Sequence, residues 1–493
     1  MSPKSRNIED TYPLSPLQEG MLFHSLYAPE SGVYITQVTC TLEHLHVAAL
    51  EHAWQQVVER HPILRTAFVW RRLDKPLQVV GRKAGVPLEQ QDWRGLSATA
   101  QEERFQAYLQ TDRRRGFTLS SAPLMRLALF QVAKGTYRFV WSHHHILLDG
   151  WSVHWLIKEV FTFYRAFCQG QQARLQPSRP YRDYIAWLQQ QDMSEAERFW
   201  RRTLQGFTTP TPLGVDREPG SVTGQEEGSG EQRVRLSRAT TTALRLLARQ
   251  QQLTLSTLVQ GAWALLLSRY SGEDDVVFGT VVSGRPGDLA EVESMVGLFI
   301  NTLPVRVHAS PEAALLPWLQ QLQEQQAEMR RYEYSPLVKV QEWSDVPRGR
   351  SLFESIYVFE NYPVAAPGSE PGVSLDVRDY RVVERENYPL AVVAGLGTEL
   401  TLKILYDCRR FDAATITRLL GHLQTLLQGM VAQPGQRVGA LSLVTAAERQ
   451  TLLVTWNATA TAYPQEEGLA ALFEGQVAQR PDAIAVVYGD AQL

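Results

Sequence analysis

The sequence predicts an α/β fold of the α+β kind, arranged as two lobes with similar element order. Three observations carry that prediction. The 493 residues allow about three domains at roughly 150 residues each. Alternating apolar runs of strand type are interleaved with stripes at helical spacing along most of the chain. After a Gly-, Pro-, Thr- and Glu-rich stretch from Gly206 to Gln232, read as a linker, strand and helix signals resume in an order that echoes the first half.

In the first half, Ser15 is a suitable N-cap, Pro16 takes the first helical position and Glu19 stands near the capping-box position, so a helix starts there. Tyr34 to Leu42 alternates as a strand. Val47 to Arg60 is an amphipathic helix with Leu50, Ala53, Trp54 and Val57 on one face, stopped by His61-Pro62. Ile63 to Trp70 has strand character, and polar loops follow. Leu124 to Val132 and Tyr137 to Ser142 form a hairpin turning at Lys134-Gly135. Behind it, Ser152 is placed as N-cap of a helix whose apolar stripe runs from Val153 to Phe167, a stripe read as core.

Pro177 and Pro180 mark a connector, and Tyr181 to Leu204 is expected to be helical. In the second half, strands are expected at Arg233 to Leu236, Asp275 to Val282, Phe353 to Phe359 and Leu400 to Leu405, with a loop from Val296 becoming a strand by Val305. Helices are expected at Ala239 to Gln250, Ser256 to Tyr270, Pro311 to Tyr332 and Ala414 to Val431, and another near Gly468 to Gln479. The expected domains are therefore 1–180, 181–440 and a C-terminal piece at 441–493, and the abrupt stop at Leu493 reads as a cut.

Composition excludes several function classes. Apolar residues at 44%, charged residues at 20% and a net charge of -3 are ordinary for a soluble protein and leave no basic footprint for nucleic acid. Met1 to Asp10 is polar, and no stretch of ~18 apolar residues is available to span a bilayer, so cytoplasmic residence is expected. Cys40, Cys168 and Cys408 lack metal-ligand or redox spacing and read as idle thiols.

The remaining candidate for chemistry is the junction Trp141-Ser142-His143-His144-His145-Ile146-Leu147-Leu148-Asp149-Gly150-Trp151, where a strand hands over to a buried-faced helix. Strand ends of this kind fix side chains in clefts. Strand alternation sends His143 and His145 to one side and His144 to the other. His143 and His145 could join Asp149 in a metal trio, but no further ligand spacing supports one. His143 and His144 read most simply as core groups.

These residues resemble a known family: His144-His145-Ile146-Leu147-Leu148-Asp149-Gly150 matches the HHxxxDG signature of condensation domains in nonribosomal peptide synthetases. Six further segments resemble the family's other motifs in family order across residues 10–440: Leu14 to Phe23, Arg60 to Phe68, Tyr181 to Trp187, Val296 to Thr302, Tyr334-Ser335-Pro336-Leu337 with Trp343, and Asn387-Tyr388-Pro389-Leu390. The spelling of Leu14 to Leu26 and of His144 to Ser152 resembles the subtype that joins a D-configured donor to an L-configured acceptor. Asn457-Ala458-Thr459, Leu472-Phe473-Glu474 and Pro481 to Ala485 resemble the opening of an adenylation domain without its nucleotide-binding core.

The resemblance implies two chloramphenicol-acetyltransferase-like lobes in a V-shaped pseudo-dimer with a central tunnel. It implies attack by the α-amine of an acceptor aminoacyl thioester on a donor peptidyl thioester, each carried on the phosphopantetheine arm of a carrier protein, with no cofactor bound by the domain itself. The partners are then an upstream donor carrier, a downstream acceptor carrier and the adjoining adenylation domain. By motif position His145 is the catalytic candidate, either as proton acceptor or by orienting the amine, with His144 beside it. Asp149 is expected to hold the loop through an ion pair with Arg285, or failing that Arg65, although Arg285 in Ser-Gly-Arg-Pro also suits a plain turn. Gly150 admits close backbone approach, and its N–H suits polarising a carbonyl oxygen. The rivals are epimerisation of one carrier-bound residue and a noncatalytic module that docks carriers.

Overall fold

The computed structural model describes residues 7–216, 228–360, 375–385, 387–462 and 467–493. The chain divides into two compact units, Met1–Leu443 and Val444–Leu493. In the first, β1 (Ile8–Pro13) leads to α1 (Pro16–Tyr27). Ser15 caps α1, and its reciprocal partner is Gln18, not Glu19 as the spacing suggested. Gln18 is the third helical residue, the position from which a side chain folds back onto the cap.

Next come β2 (Ile35–Glu43), α2 (Val47–Arg60), a short turn at Pro62–Arg65 and β3 (Thr66–Val69). The stretch read as polar loops instead holds β4 (Leu77–Gly81), β5 (Leu88–Asp92) and α3 (Ala98–Arg115). Only Phe105, Leu109 and Asp112 of α3 are buried, a stripe too thin to register against its charges. The hairpin of β6 (Met125–Ala133) and β7 (Thr136–His144) runs into α4 (Gly150–Cys168). The cap of α4 is Asp149, which accepts from Ser152 N, so Ser152 is an interior first-turn residue and not the cap.

The single helix expected at 181–204 is two, α5 (Tyr181–Leu188) and α6 (Met193–Leu204), because Asp192 starts a fresh cap by accepting from Ser194 N. Part of the expected linker, 217–227, lies outside the described residues. Beyond it are β8 (Ser229–Arg235), α7 (Arg238–Gln250), α8 (Leu255–Ser271), β9 (Asp275–Val282), β10 (Asn301–His308), α9 (Leu315–Met329) and α10 (Leu337–Trp343). The unit closes with β11 (Ser355–Glu360), β12 (Asp376–Val383), β13 (Leu390–Leu396), β14 (Leu400–Asp407) and α11 (Ala413–Ala432).

Two large sheets organise these elements, with strand orders β12-β2-β7-β6-β5 and β10-β9-β11-β13-β14-β8, beside a small sheet β1-β4-β3. On the first sheet α2 packs Trp54 against Trp141 at 4.6 Å between ring centroids, both buried. Burying each such side chain contributes about 1.5–3 kcal/mol or more. On the second, α8 is buried along the run from Thr257 to Ser268 and serves as the central helix.

The second half of the chain lends a strand to the first lobe. Strand β12, from the second half, pairs antiparallel with β2 in the first sheet, Val377 opposite Leu42 and Val383 opposite Gln37. Tyr181 and Tyr184 of α5, with Leu289, Met295 and Phe299, belong to the same apolar core as Trp54 and Trp141. The first lobe is thus completed by residues beyond position 180.

The second unit contains α12 (Ala446–Gln450), capped reciprocally by Thr445 and Glu448, α13 (Leu469–Gln479), where a helix was expected, and a short pair of strands, β15 (Val487–Tyr488) and β16 (Ala491–Gln492). No described helix is long and apolar enough to cross a membrane.

Candidate functional site

Each residue of the histidine run is placed differently. His143 lies opposite Thr36 and Met125 in the sheet, stacks on Trp141 at 4.6 Å and is 1% exposed. Burial first, then the neighbouring histidines, drives its pKa well below the ordinary value, so the ring is neutral. His144, 2% exposed, ends the strand. Its Nδ1 accepts from Ile146 N at 3.1 Å and its Nε2 lies 3.1 Å from Ser25 Oγ. Burial lowers its pKa to about 3, with His145 adding to the effect. With Nδ1 accepting, the neutral ring carries its proton on Nε2 and donates to Ser25.

His145 is the partly exposed member of the run. The strand stops at His144 and a tight turn, His145–Leu147, begins, so strand alternation does not extend to His145 as the sequence pattern suggested. Its backbone N–H donates to Tyr34 O at 2.8 Å. Tyr34 is buried with φ of +65°, a left-handed conformation uncommon for a bulky residue. Among the described residues His145 Nδ1 is buried without a hydrogen-bond partner, so no carboxylate backs this imidazole.

Asp149 faces away from that role. Besides capping α4, its Oδ2 accepts from Phe299 N at 3.0 Å and its Oδ1 lies 3.4 Å from Arg285 Nη2, while its own N–H donates to Gly297 O at 3.2 Å. Arg285 also donates to Ser152 Oγ at 3.0 Å and Met295 O at 3.0 Å, and its guanidinium stacks on Phe299 at 3.9 Å. Of the two candidate cations for Asp149, Arg65 is engaged elsewhere, pairing with Glu9 at 2.6 Å and donating to Val58 O at 3.1 Å. Among the described residues no cluster of three His, Cys, Asp or Glu side chains is disposed to hold a metal ion, the trio His143, His145 and Asp149 included.

Other side chains support the junction, and sequence reasoning passed over them. Buried Gln18 donates to Ile146 O at 3.0 Å and exchanges hydrogen bonds with Gln78, tying the first motif to the turn after His145. Tyr181 donates to Leu298 O at 2.5 Å, and a Cβ on Gly297 would stand 2.1 Å from the Tyr181 ring, so this close approach requires glycine. Asn301 donates to Glu333 O at 2.8 Å and Ser335 O at 2.7 Å, joining the Val296–Thr302 segment to the one that begins at Tyr334. Asn387 Nδ2 sits 3.4 Å from His24 Nε2, so the Asn387–Leu390 segment meets α1 one residue past the Leu14–Phe23 segment. The motif segments flagged the right stretches. Only tertiary contacts reveal which atoms they join.

Gly150 opens the first turn of α4, where backbone N–H groups have no partner in the helix ladder. It lines a cavity of about 860 Å³ between the lobes, with Thr36, Val153, Ile157 and Tyr380 on one wall and Arg233 and Lys403 on the other. A second cavity of about 660 Å³ is lined by His24, Tyr27, Asn387 and Tyr406. Arg113, Ser229, Arg385 and Leu405 border both, so the two cavities are neighbours in the cleft between the lobes. Burial, and then repulsion by Arg385, lowers the Arg113 pKa, which marks a cationic waist. The start of α4 faces this space at Gly150, and the partly exposed His145 stands five residues ahead of it in the chain.

A family model described as "Condensation domain" matches residues 8–453. One linear gramicidin synthase polypeptide of Brevibacillus parabrevis is 48% identical over 490 residues, covering 99% of this chain and 6% of that protein. Two further linear gramicidin synthase polypeptides of the same organism also match at 48%, and the chain spans only 6% to 10% of the lengths of the three. Among solved structures, the four-domain nonribosomal peptide synthetase holo-AB3403 superposes with a TM-score of 0.81 at 20% identity, over 97% of this chain and 37% of that one. The X-domain in its complex with OxyB from teicoplanin biosynthesis gives 0.74 at 24% identity, over 89% and 97%. These structural likenesses establish a shared fold of mixed sheets and helices.

Proposed function

The chain belongs to the condensation-domain family of nonribosomal peptide synthetases, and on that premise we propose that it forms a peptide bond between two carrier-bound thioesters meeting in the cleft between the lobes. The neutral α-amine of the acceptor attacks the donor carbonyl. A C–N bond forms, the donor C–S bond breaks, and the proton shed by nitrogen reaches the departing thiolate by way of His145. A thiol of ordinary pKa, ~8.5, is an adequate leaving group, so one proton acceptor suffices. Gly150 N–H faces the carbonyl oxygen as charge develops there. Asp149 and Arg285 act structurally, holding the loop at 297–299 against the start of α4.

One observation supports this above the rest: within three consecutive histidines the one at the motif's catalytic position is the partly exposed one, while its neighbours are buried and neutral. The finer reading is a D-configured donor and an L-configured acceptor, drawn from the spelling of Leu14 to Leu26 and of His144 to Ser152. It includes phosphopantetheine arms as the only carriers of substrate, no intrinsic cofactor, an adenylation domain continuing from residues 441–493, and a cytoplasmic setting.

Loading donor and acceptor carriers, adding the protein and analysing the thioesters by mass spectrometry tests this. Dipeptidyl product on the acceptor carrier is expected, and His145→Ala should lower its rate by ~10²–10⁴-fold. A noncatalytic docking reading draws support from the shared fold with an X-domain solved in complex with another protein. It predicts carrier binding with no product. Inversion of the donor residue without transfer would indicate an epimerase.

A further inference from the structure

A cavity of about 500 Å³ in the first lobe, lined by Leu26, Val33, Ile35, Val69, Trp70 and Phe117 with His144 at its floor, plays no part in the chemistry above. It shares the lining residues Ala28, Gly32 and Val33 with the 660 Å³ cavity and so adjoins it. Ile35 and His144 are direct partners across the sheet, which puts the floor one residue before His145. Its size falls within the range typical of small-ligand sites, roughly 300–1,000 Å³.

The polar atoms at the floor are already paired. His144 uses Nδ1 to accept from Ile146 N and donates from Nε2 to Ser25 Oγ, which donates in turn to Met21 O at 2.7 Å. At the floor His144 and Ser25 therefore offer neither a free donor nor a free acceptor, and the other polar side chains of the lining, Arg71, Thr118 and Ser120, belong to exposed residues. A charged side chain entering would shed water without gaining a partner, whereas an apolar one would gain from leaving water.

We propose that this cavity receives the apolar side chain of a carrier-bound aminoacyl group whose thioester lies at His145, which makes Leu26, Val33, Val69, Trp70 and Phe117 specificity-determining residues. The proposal rests on the peptide-bond-forming reading and adds the substrate class to it. Discrimination follows from the lining: hydrophobic pockets separate side chains by about tenfold or more per unmatched group.

The test uses aminoacyl carriers in two arms. In one, the acceptor side chain is varied among glycyl, leucyl, aspartyl and lysyl with a glycyl donor held constant; in the other, the donor is varied. Leucyl should outpace aspartyl and lysyl by about tenfold or more in one arm, and that arm identifies which group the cavity serves. Filling the cavity by either of two substitutions, Val69→Trp or Ser120→Trp, should lower the leucyl-to-glycyl rate ratio by about tenfold; a ratio is insensitive to partial loss of folded protein. Equal rates for all side chains in both arms, or an unchanged ratio in both filled variants, overturns the proposal. Absence of dipeptidyl product with every pair overturns the peptide-bond-forming reading itself, and the proposal with it.

Discussion

At Asp149 the carboxylate receives two backbone N–H groups and a guanidinium while 1% exposed, so its removal leaves Arg285 buried and Phe299 N unsatisfied. Breaking such a buried pair costs about 3–5 kcal/mol. Asp149→Ala is therefore expected to lower the urea midpoint strongly, whereas His145→Ala, at a partly exposed site, should shift stability by less than ~1 kcal/mol while removing activity. Equal midpoints for the two variants would refute the division of labour between them. His144 supplies a pH prediction. Its folded pKa, about 3, lies below the unfolded value near 6.5, so the unfolded chain binds the extra proton. Stability is unaffected above pH ~6.5 and declines as pH falls toward 3, by at most ~1.4 kcal/mol per pH unit for this one group. Chemical denaturation from pH 4 to 7 should show a shallower acid limb in His144→Gln. His144, His145, Asp149 and Gly150 were legible in the sequence because they sit in one short motif. Tyr34 was not, because it acts through a backbone carbonyl that any residue could supply, and Ser25 was not, because its partner lies far along the chain.

Among the elements, the segment Gly297 to Phe299 is held by α5, by Arg285 and by the start of α4 at once. Two glycines make that possible. Gly284 has φ of +58°, and a Cβ there would lie 1.8 Å from Phe299 O, while Gly297 lies flat against Tyr181. Gly297→Ala should cost about 1–3 kcal/mol by overpacking and also slow turnover, since the displaced segment carries the N–H that anchors Asp149. Thermal melting and single-turnover rates on the same preparation check both halves. Strongly periodic helices such as α2 and α11 were readable to within a residue or two. By contrast, β4 and β5 are short and partly exposed, and α3 shows the core only a narrow stripe, so neither gave a periodic signal.

For the molecule as a whole, the governing fact is that β12 completes a sheet begun more than three hundred positions earlier in sequence. Periodicity cannot announce a partner at that distance, which is why the division at 180 followed sequence order and not the packing. A fragment of residues 1–180 would lack β12 and the whole α5 contribution to its core. It is expected to be unfolded or aggregated, through the exposed edge of β2. Calorimetry on residues 1–443 should show one dominant transition in place of two well-separated lobe transitions.

That interleaving also constrains how such a domain can be recombined. A chimera made by cutting near the apparent lobe junction would carry a donor's version of residues 376–383 into a host's sheet, beside host residues 37–43 that never matched it. Functional hybrids should therefore tolerate exchange of the whole body up to Leu443, or of one lobe together with its strand lodged in the other, and should fail when the strand and its ladder neighbour come from different parents.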